Sequence, residues 1–303
     1  MTAPLRLSAE AAAALAAGRP IVALETTILS FGLPQPANGR VAHACERAIR
    51  EAGAVPATVA ALGGEIRVGL DAAELDFFCS RDASIRKVNT QNLAAVLAAG
   101  APGAFTVAAS LRACDLAGIR VFATGGIGGV HRGYAETMDI SADLTALARH
   151  PVVTVCSGAK SILDVAATLE ALETLGVPVA GFRTDVFPRF ICSQSGHMLD
   201  IRVDDAADAA RLAATHFAIS RAGLVLAVPP PAEVSVPAAD LDAWTAEALE
   251  GARRAGVRGK ALTPFLLERL ETLSAGATLR ANEALVVNNA TVAAHVAVAL
   301  ARP

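Results

Sequence analysis

Short runs of β-forming apolar residues alternate along this chain with Ala-rich amphipathic stretches, and no other feature restricts the fold as much. Strands are predicted over 21–25, 56–62, 65–68, 104–107, 120–124, 152–156, 179–184 and 224–228. Helices are predicted over 39–51, 90–99, 108–117, 142–148, 160–175, 206–220, 241–255, 263–273 and 283–301, with one more short helix in the first 20 residues. Several strands are continuous apolar runs, the pattern of strands covered on both faces. In the helix over 39–51, Val41, Ala44, Cys45, Ala48 and Ile49 share a face, and Asn38 is a plausible N-cap. The alternation predicts an α/β chain with three layers, a mixed, largely parallel sheet flanked by helices. The mixed character comes from 65–68, which follows Gly63-Gly64 and reads as the hairpin partner of the strand before it. No Pro/Ser-rich linker or internal repeat interrupts the 303 residues, so 1–303 reads as a single domain.

Composition narrows the function classes. Net charge is −3 without basic blocks, and aromatic residues make up 4%, which argues against a nucleic-acid binder. The sequence offers no run of about 18 strongly apolar residues, so no membrane span is expected. Residues 1–20 carry Arg6 and Glu10 and no Leu- or Val-rich stretch, unlike a signal peptide. The five cysteines, Cys45, Cys79, Cys114, Cys156 and Cys192, are odd in number and form no CxxC, which points to buried reduced thiols in a cytoplasmic protein. Lysine occurs only at Lys87, Lys160 and Lys260 among 26 basic residues. A chain that uses arginine almost everywhere for positive charge keeps a lysine where an amine is needed, because arginine cannot serve as an amine nucleophile.

The unusual residues fall at strand ends, where open α/β sheets bind ligands. Glu25 ends an apolar strand and precedes two hydroxyls; in a dry cleft its pKa rises, which suits a general acid, although a cap or salt-bridge role fits the motif equally. Five glycines within 125–133 give a backbone that can approach a ligand closely, with His131 and Arg132 beside it. The loop lacks the dinucleotide GxGxxG spacing, since position 131 is His. Asp139 and Asp143 lie four apart and share a face if helical, and Ser141 can cap the helix that follows. A loop carboxylate suits a hard divalent cation, and the same residues also make an ordinary helix start. Lys160 follows the 152–156 strand in Ser157-Gly158-Ala159-Lys160-Ser161. Thr154 and Ala159 stand where a phosphate-binding P-loop needs glycine. At a strand end beside a helix N-terminus, the dipole and desolvation disfavour its ammonium form, making Lys160 a candidate imine-forming nucleophile, with a plain phosphate contact as the alternative. Lys87, ahead of Asn89 and Asn92, is a candidate phosphate clamp, and the 106–109 turn would offer backbone amides to the same ligand. Lys260 opens a helix without a strong role. Asn288 and Asn289 sit within an otherwise apolar helix and need partners, which the site can supply.

With Ala23–Ile28, Gly125–Gly133, Asp139–Asp143, Ser157–Ser161, Gly259–Leu266 and Asn288-Asn289-Ala290 present in that order, the chain resembles the pseudouridine-5′-phosphate glycosidase, or indigoidine synthase A-like, family. The resemblance covers nearly the whole length; any one motif is weak, and together they are specific. It implies a lyase that reversibly converts pseudouridine 5′-phosphate and water to uracil and ribose 5-phosphate. It implies Glu25 as proton donor and Lys160 as nucleophile. Asp139 would ligate a divalent metal, usually Mn²⁺. Lys87, Val107, Ser141, Ala142 and Asp143 would contact substrate, with His131 and Asn289 lining the site. It also implies a homotrimer. Thr26 stands where some relatives have Ser, which keeps the hydroxyl. A C–C glycosidic bond has no leaving heteroatom to protonate, so a pair of carboxylates does not suffice and a lysine that forms an imine with the sugar answers the need. Two alternatives stay open at this point: another Schiff-base lyase acting on a sugar phosphate, and a non-catalytic nucleotide-binding module.

Overall fold

The computed structural model describes residues 4–257 and 262–301. Seven strands form its parallel centre, in the order Val55–Leu62, Ile21–Leu24, Val121–Ala123, Val153–Cys156, Leu224–Ala227, Val179–Phe182 and Ile201–Val203. Beyond Val55–Leu62 the sheet turns mixed. Glu65–Val68 pairs with it antiparallel, matching Leu62 to Glu65 across the Gly63-Gly64 turn, and Gly103–Phe105 pairs with it antiparallel as well. Both turn glycines have positive φ, the conformation that a two-residue hairpin needs. Leu5–Leu7 and Arg86–Val88 add the outer edges, each parallel to its neighbour.

Helices cover both faces, as the apolar strands require; every residue of Ile21–Leu24, Val153–Cys156 and Leu224–Ala227 is buried. One layer holds Ala37–Glu51, Ala206–Ile219 and Ala277–Leu300, and the other holds Val107–Ala117, Ala142–Arg149 and Val165–Thr174. Ala277–Leu300 is long and apolar enough to cross a membrane. In this fold it packs against two helices of its layer and against three central strands, and it buries Asn282 and Asn289. The three-layer, largely parallel architecture and the hairpin are as the sequence predicts, and all five cysteines are buried and reduced.

Several local expectations change. The helix predicted from Lys160 begins at Val165, because Asp164 caps it by accepting the Ala167 N–H, and the residues before it are drawn into pairing with neighbouring loops. Asn38 is not a cap: the helix starts at Ala37, and the Asn38 amide donates to the carbonyls of Leu29 (2.8 Å) and Cys79 (2.7 Å). The helix predicted from 90 begins at Leu93, since Asn89 and Asn92 spend their side chains bracing the turn, the latter through the Lys87 carbonyl. The helix predicted from 283 starts six residues earlier, at Ala277. Short elements at Leu5–Leu7, Ala72–Cys79, Arg86–Val88, Val130–His131, Leu163–Asp164 and Ile201–Val203 escape the pattern because strands of two or three residues and a helix of about two turns carry too little periodicity. Lys260 lies outside the described residues.

Candidate active site

Three neighbouring strands, Ile21–Leu24, Val121–Ala123 and Val153–Cys156, end side by side, and the chemistry-bearing loops leave from those ends. The chain runs from the first of these outward to Val55–Leu62 on one side and later returns to Val121–Ala123 on the other. The crevice at Glu25 and Thr124 is therefore the topological switch point of the sheet, where connections diverge and leave room for a ligand.

The loops are held by continuing the sheet's hydrogen bonding past the strands. Ser157 N–H donates to Gly125 O (2.8 Å), Ile127 N–H to Gly158 O (3.0 Å) and Lys160 N–H to Ile127 O (3.1 Å). Beside Glu25, the Thr26 hydroxyl donates to Val59 O (2.9 Å) and accepts from Phe105 N–H (2.8 Å), while Thr27 donates to Ala104 O (3.1 Å). The two hydroxyls after the carboxylate are thus ties to adjacent strands. A single π-helical turn, Ile28–Gly32, follows and swings Phe31 over the crevice.

Glu25, Lys87 and Lys160 line one small cavity of about 50 Å³ together with Phe31, Gly126, Phe190 and Asn282. A larger groove of about 630 Å³ shares Phe31, Phe190, Leu267 and Asn282 with it and reaches Ser161 and Arg81. Glu25 is buried, and loss of water pushes its carboxyl pKa up; Lys160, the Thr124 hydroxyl and Lys87 oppose the shift, and Asp143 adds to it. The Thr124 hydroxyl donates directly to the Glu25 carboxylate. Burial pushes the His131 imidazole down; Asp139 opposes this and Lys160 reinforces it. His131 therefore stands within electrostatic reach of both Asp139 and the lysine.

Asp139 and Asp143 do not share a helix face. Asp139 lies in the loop before Ser141, with its carbonyl accepting from His131 N–H (3.1 Å), whereas Asp143 is inside the helix and buried. The Asp143 carboxylate accepts from Ala108 N–H (3.0 Å) and Gly128 N–H (2.8 Å). It thereby caps the helix Val107–Ala117 and takes one of the amides that the 106–109 turn was expected to offer a ligand. Ser141 caps its own helix, as expected, by accepting from Asp143 N–H (3.2 Å), and Ala142 is that helix's first residue. Val107 opens its helix with its side chain buried.

The glycine-rich loop is glycine-rich mainly because of protein neighbours, not to admit a ligand. A Cβ on Gly128 would stand 2.2 Å from Ser141 Oγ, and one on Gly129 would stand 2.4 Å from Thr168 Oγ1. On Gly126 it would meet the Phe190 ring at 2.8 Å. Of the two asparagines, Asn289 faces inward: it is fully buried, and its amide donates to Thr124 O (2.9 Å) and Ser157 Oγ (3.1 Å), fastening both loops from below.

Asn282 and Phe190 were missed by the sequence reading. Asn282 is buried on the same helix as Asn289 and lines both cavities; its Oδ1 has no hydrogen-bond partner among the described residues. A buried amide oxygen left unpaired beside a cavity is placed to accept from a ligand. Its position seven residues before Asn289, hence on the same helix face, is a signal the sequence did carry. Phe190 holds a left-handed backbone (φ 59°), uncommon for a bulky residue, and sequence pattern gives no hint of it.

Among the described residues no cluster of three or more His, Cys, Asp or Glu side chains can cage a metal. Asp139 with His131 nearby fits a hard cation held by one carboxylate and otherwise by water, the manner in which Mg²⁺-like ions bind, and does not fit a protein-caged metal such as structural zinc.

The family model of indigoidine synthase A-like proteins matches residues 10–299. A Rhodospirillum centenum protein named pseudouridine-5′-phosphate glycosidase is 56% identical over 299 residues, covering 98% of this chain and 93% of the relative. A protein of that name from Caldanaerobacter subterraneus is 50% identical over 295 residues, covering 97% and 96%. Among solved structures, the prealnumycin C-glycosynthase AlnA in complex with ribulose 5-phosphate superposes with a TM-score of 0.91 at 38% identity, over 98% of this chain and 97% of that one.

Proposed function

The chain belongs to the indigoidine synthase A-like family, and from that premise we propose that it is a pseudouridine-5′-phosphate glycosidase, cleaving the C–C glycosidic bond with water to give uracil and ribose 5-phosphate. The observation that carries this reading is the shared cavity of Glu25 and Lys160, in which burial favours the protonated acid next to an amine. Relatives of that name at 50% and 56% identity support it, as does a solved neighbour in complex with ribulose 5-phosphate.

The chemistry follows from the two groups. The Lys160 amine bonds to C1′ as the C1′–O4′ bond breaks, and the proton that the nitrogen releases passes to O4′. The nitrogen lone pair then forms C1′=N while the C1′–C5 bond to uracil breaks; its electron pair stays on C5, which takes the proton of Glu25. Water hydrolyses the imine to ribose 5-phosphate and frees the amine. The carboxyl must be protonated before cleavage, and its burial pushes its pKa in that direction. Lys87 supplies positive charge to the phosphate, and the Asn282 Oδ1 is placed to accept an N–H of the departing base. Asp139 would hold Mn²⁺ or a similar cation, which when bound supplies positive charge that orients anionic ligands. His131 sits next to that position. Tyr134, Met138 and Ile140 are exposed apolar residues on the segment that carries Asp139, which supports self-association, and the homotrimer is the assembly that the family resemblance implies.

The test is to incubate the protein with uracil, ribose 5-phosphate and Mn²⁺ and look for pseudouridine 5′-phosphate. Absence of product under all metal conditions sinks the proposal. Lys160→Arg should abolish turnover, and borohydride added during turnover should leave a pentose phosphate on the peptide containing Lys160; wild-type turnover by that variant would remove the amine from the mechanism.

A further inference from the structure

We propose that Arg189 is a positioning residue, a latch that pins the turn carrying Phe190 against the loop carrying Lys160 and ties both to the helices walling the groove. The inference rests on the reading of Lys160 and its cavity as the catalytic centre. Arg189 is 7% exposed, yet its hydrogen bonding is incomplete. Nη1 donates to Asp242 Oδ1 (2.6 Å) and Nη2 to Ala238 O (3.4 Å), while Nε has no partner among the described residues. A buried cation with one unsatisfied donor is a poor source of stability, and an apolar side chain of similar volume often serves a fold better. Its use here therefore points to geometry.

The geometry is specific. The turn is closed by Arg189 N–H to Cys192 O (2.8 Å) and Cys192 N–H to Arg189 O (3.2 Å). Within it Phe190 is held at φ 59°, with its N–H on Ser157 O (2.7 Å). A bulky residue stays in that region only where its surroundings fix it. Pro188 O comes so near Gly158 that a Cβ there would lie 1.9 Å away, so the turn rests directly on the loop two residues before Lys160. On the far side, Ala238–Arg254 receives the guanidinium and packs on Leu262–Leu273, whose Leu267 lines the catalytic cavity as Phe190 does. One side chain thus joins two walls of the cavity without touching it: Arg189 does not line it.

The test uses the full chain with Arg189→Met, Asp242→Asn, Phe190→Ala and the Arg189→Met/Phe190→Ala double variant. kcat/KM for pseudouridine 5′-phosphate cleavage is measured with the thermal midpoint and with backbone hydrogen exchange over 157–160 and 187–192. Arg189→Met should lower kcat/KM about tenfold at an unchanged or raised midpoint, the scale of a small misplacement of a reacting group. It should speed exchange in both segments and cost nothing further in the Phe190→Ala background, because both substitutions release the same turn. Asp242→Asn, at the solvent side of the pair, should act in the same direction more weakly, and it carries the test if Arg189→Met does not fold. Wild-type kcat/KM and exchange in the variants, an activity loss that tracks a falling midpoint, or full additivity with Phe190→Ala overturns the latch. If the wild-type chain does not cleave the substrate, the functional reading falls instead, and the exchange data still decide whether the latch exists.

Discussion

Replacing Asp143 by Asn separates a structural carboxylate from a substrate contact. The wild-type side chain is buried and accepts two backbone N–H groups, from Ala108 at 3.0 Å and Gly128 at 2.8 Å, one on each oxygen. Asn keeps the volume but offers one acceptor and one NH₂. Whichever way the amide is turned, one N–H faces a donor. The surviving bond loses its charge assistance, and the other leaves a buried donor unmet, at about 1–3 kcal/mol for each such group. Together this places the destabilisation at about 2–4 kcal/mol, or a fall of about 3–6 °C in Tm for a chain of 303 residues at fixed protein concentration. Calorimetry on Asp143→Asn measures it, with Asp139→Asn as the control, since that loop carboxylate should shift Tm by less than about 1 °C. The loss should also appear as faster hydrogen exchange at Ala108 and Gly128. An Asp143→Asn protein with wild-type Tm and a strongly raised KM would refute the reasoning and make the carboxylate a ligand contact first.

Glu25→Gln should abolish cleavage and raise stability at neutral pH, because the carboxyl pKa is pushed up by burial. The native state holds that proton more tightly than the unfolded chain, so the wild type loses stability as pH rises from the ordinary Glu value through the raised one. The gain from Gln should therefore be present at pH 8 and vanish near pH 4, read from Tm across pH; a pH-independent difference refutes it. The same shift predicts that kcat falls on the alkaline side as Glu25 loses its proton, and a wild-type profile flat there counts against the acid role. Asn289→Ala should cost about 2–4 kcal/mol in urea unfolding, because it orphans the Thr124 carbonyl and opens a fully buried space; a loss under about 1 kcal/mol refutes its bracing role. Gly129→Ala would bring a methyl to 2.4 Å from Thr168 Oγ1, so it should lower Tm by several degrees, whereas Gly133→Ala, with open space around it, should be limited to the strain of its positive φ. Equal Tm losses for the two would show that the loop's glycines are not set by packing.

Much of this site was readable before any coordinates. Glu25, the glycine loop and Lys160 follow largely apolar runs, so the rule that ligands sit beyond strand ends places them at one edge of the sheet before the strand order is known. The sequence could not say that the three strands are neighbours, which is settled by long-range pairing. It also misassigned the setting of Lys160. The apolar period from 162 onward looks helical, but Asp164 captures the helix start and the preceding residues pair with Ile127 instead. The role of Asp143 was hidden for a similar reason: acid spacing reports helix faces, while its partners lie 15 and 35 residues away. Phe190 was invisible, since nothing local in Pro188-Arg189-Phe190 foretells a left-handed phenylalanine.

Asn289 fastens loops that leave the sheet at Thr124 and Ser157, more than 130 residues before it. A nascent chain therefore emerges from the ribosome with its acid and its amine already synthesised but their loops not yet clasped from below. Until residue 289 is in place, the two loops lack the buried amide that joins them, so the surroundings of Glu25 and Lys160 are completed only near the end of synthesis.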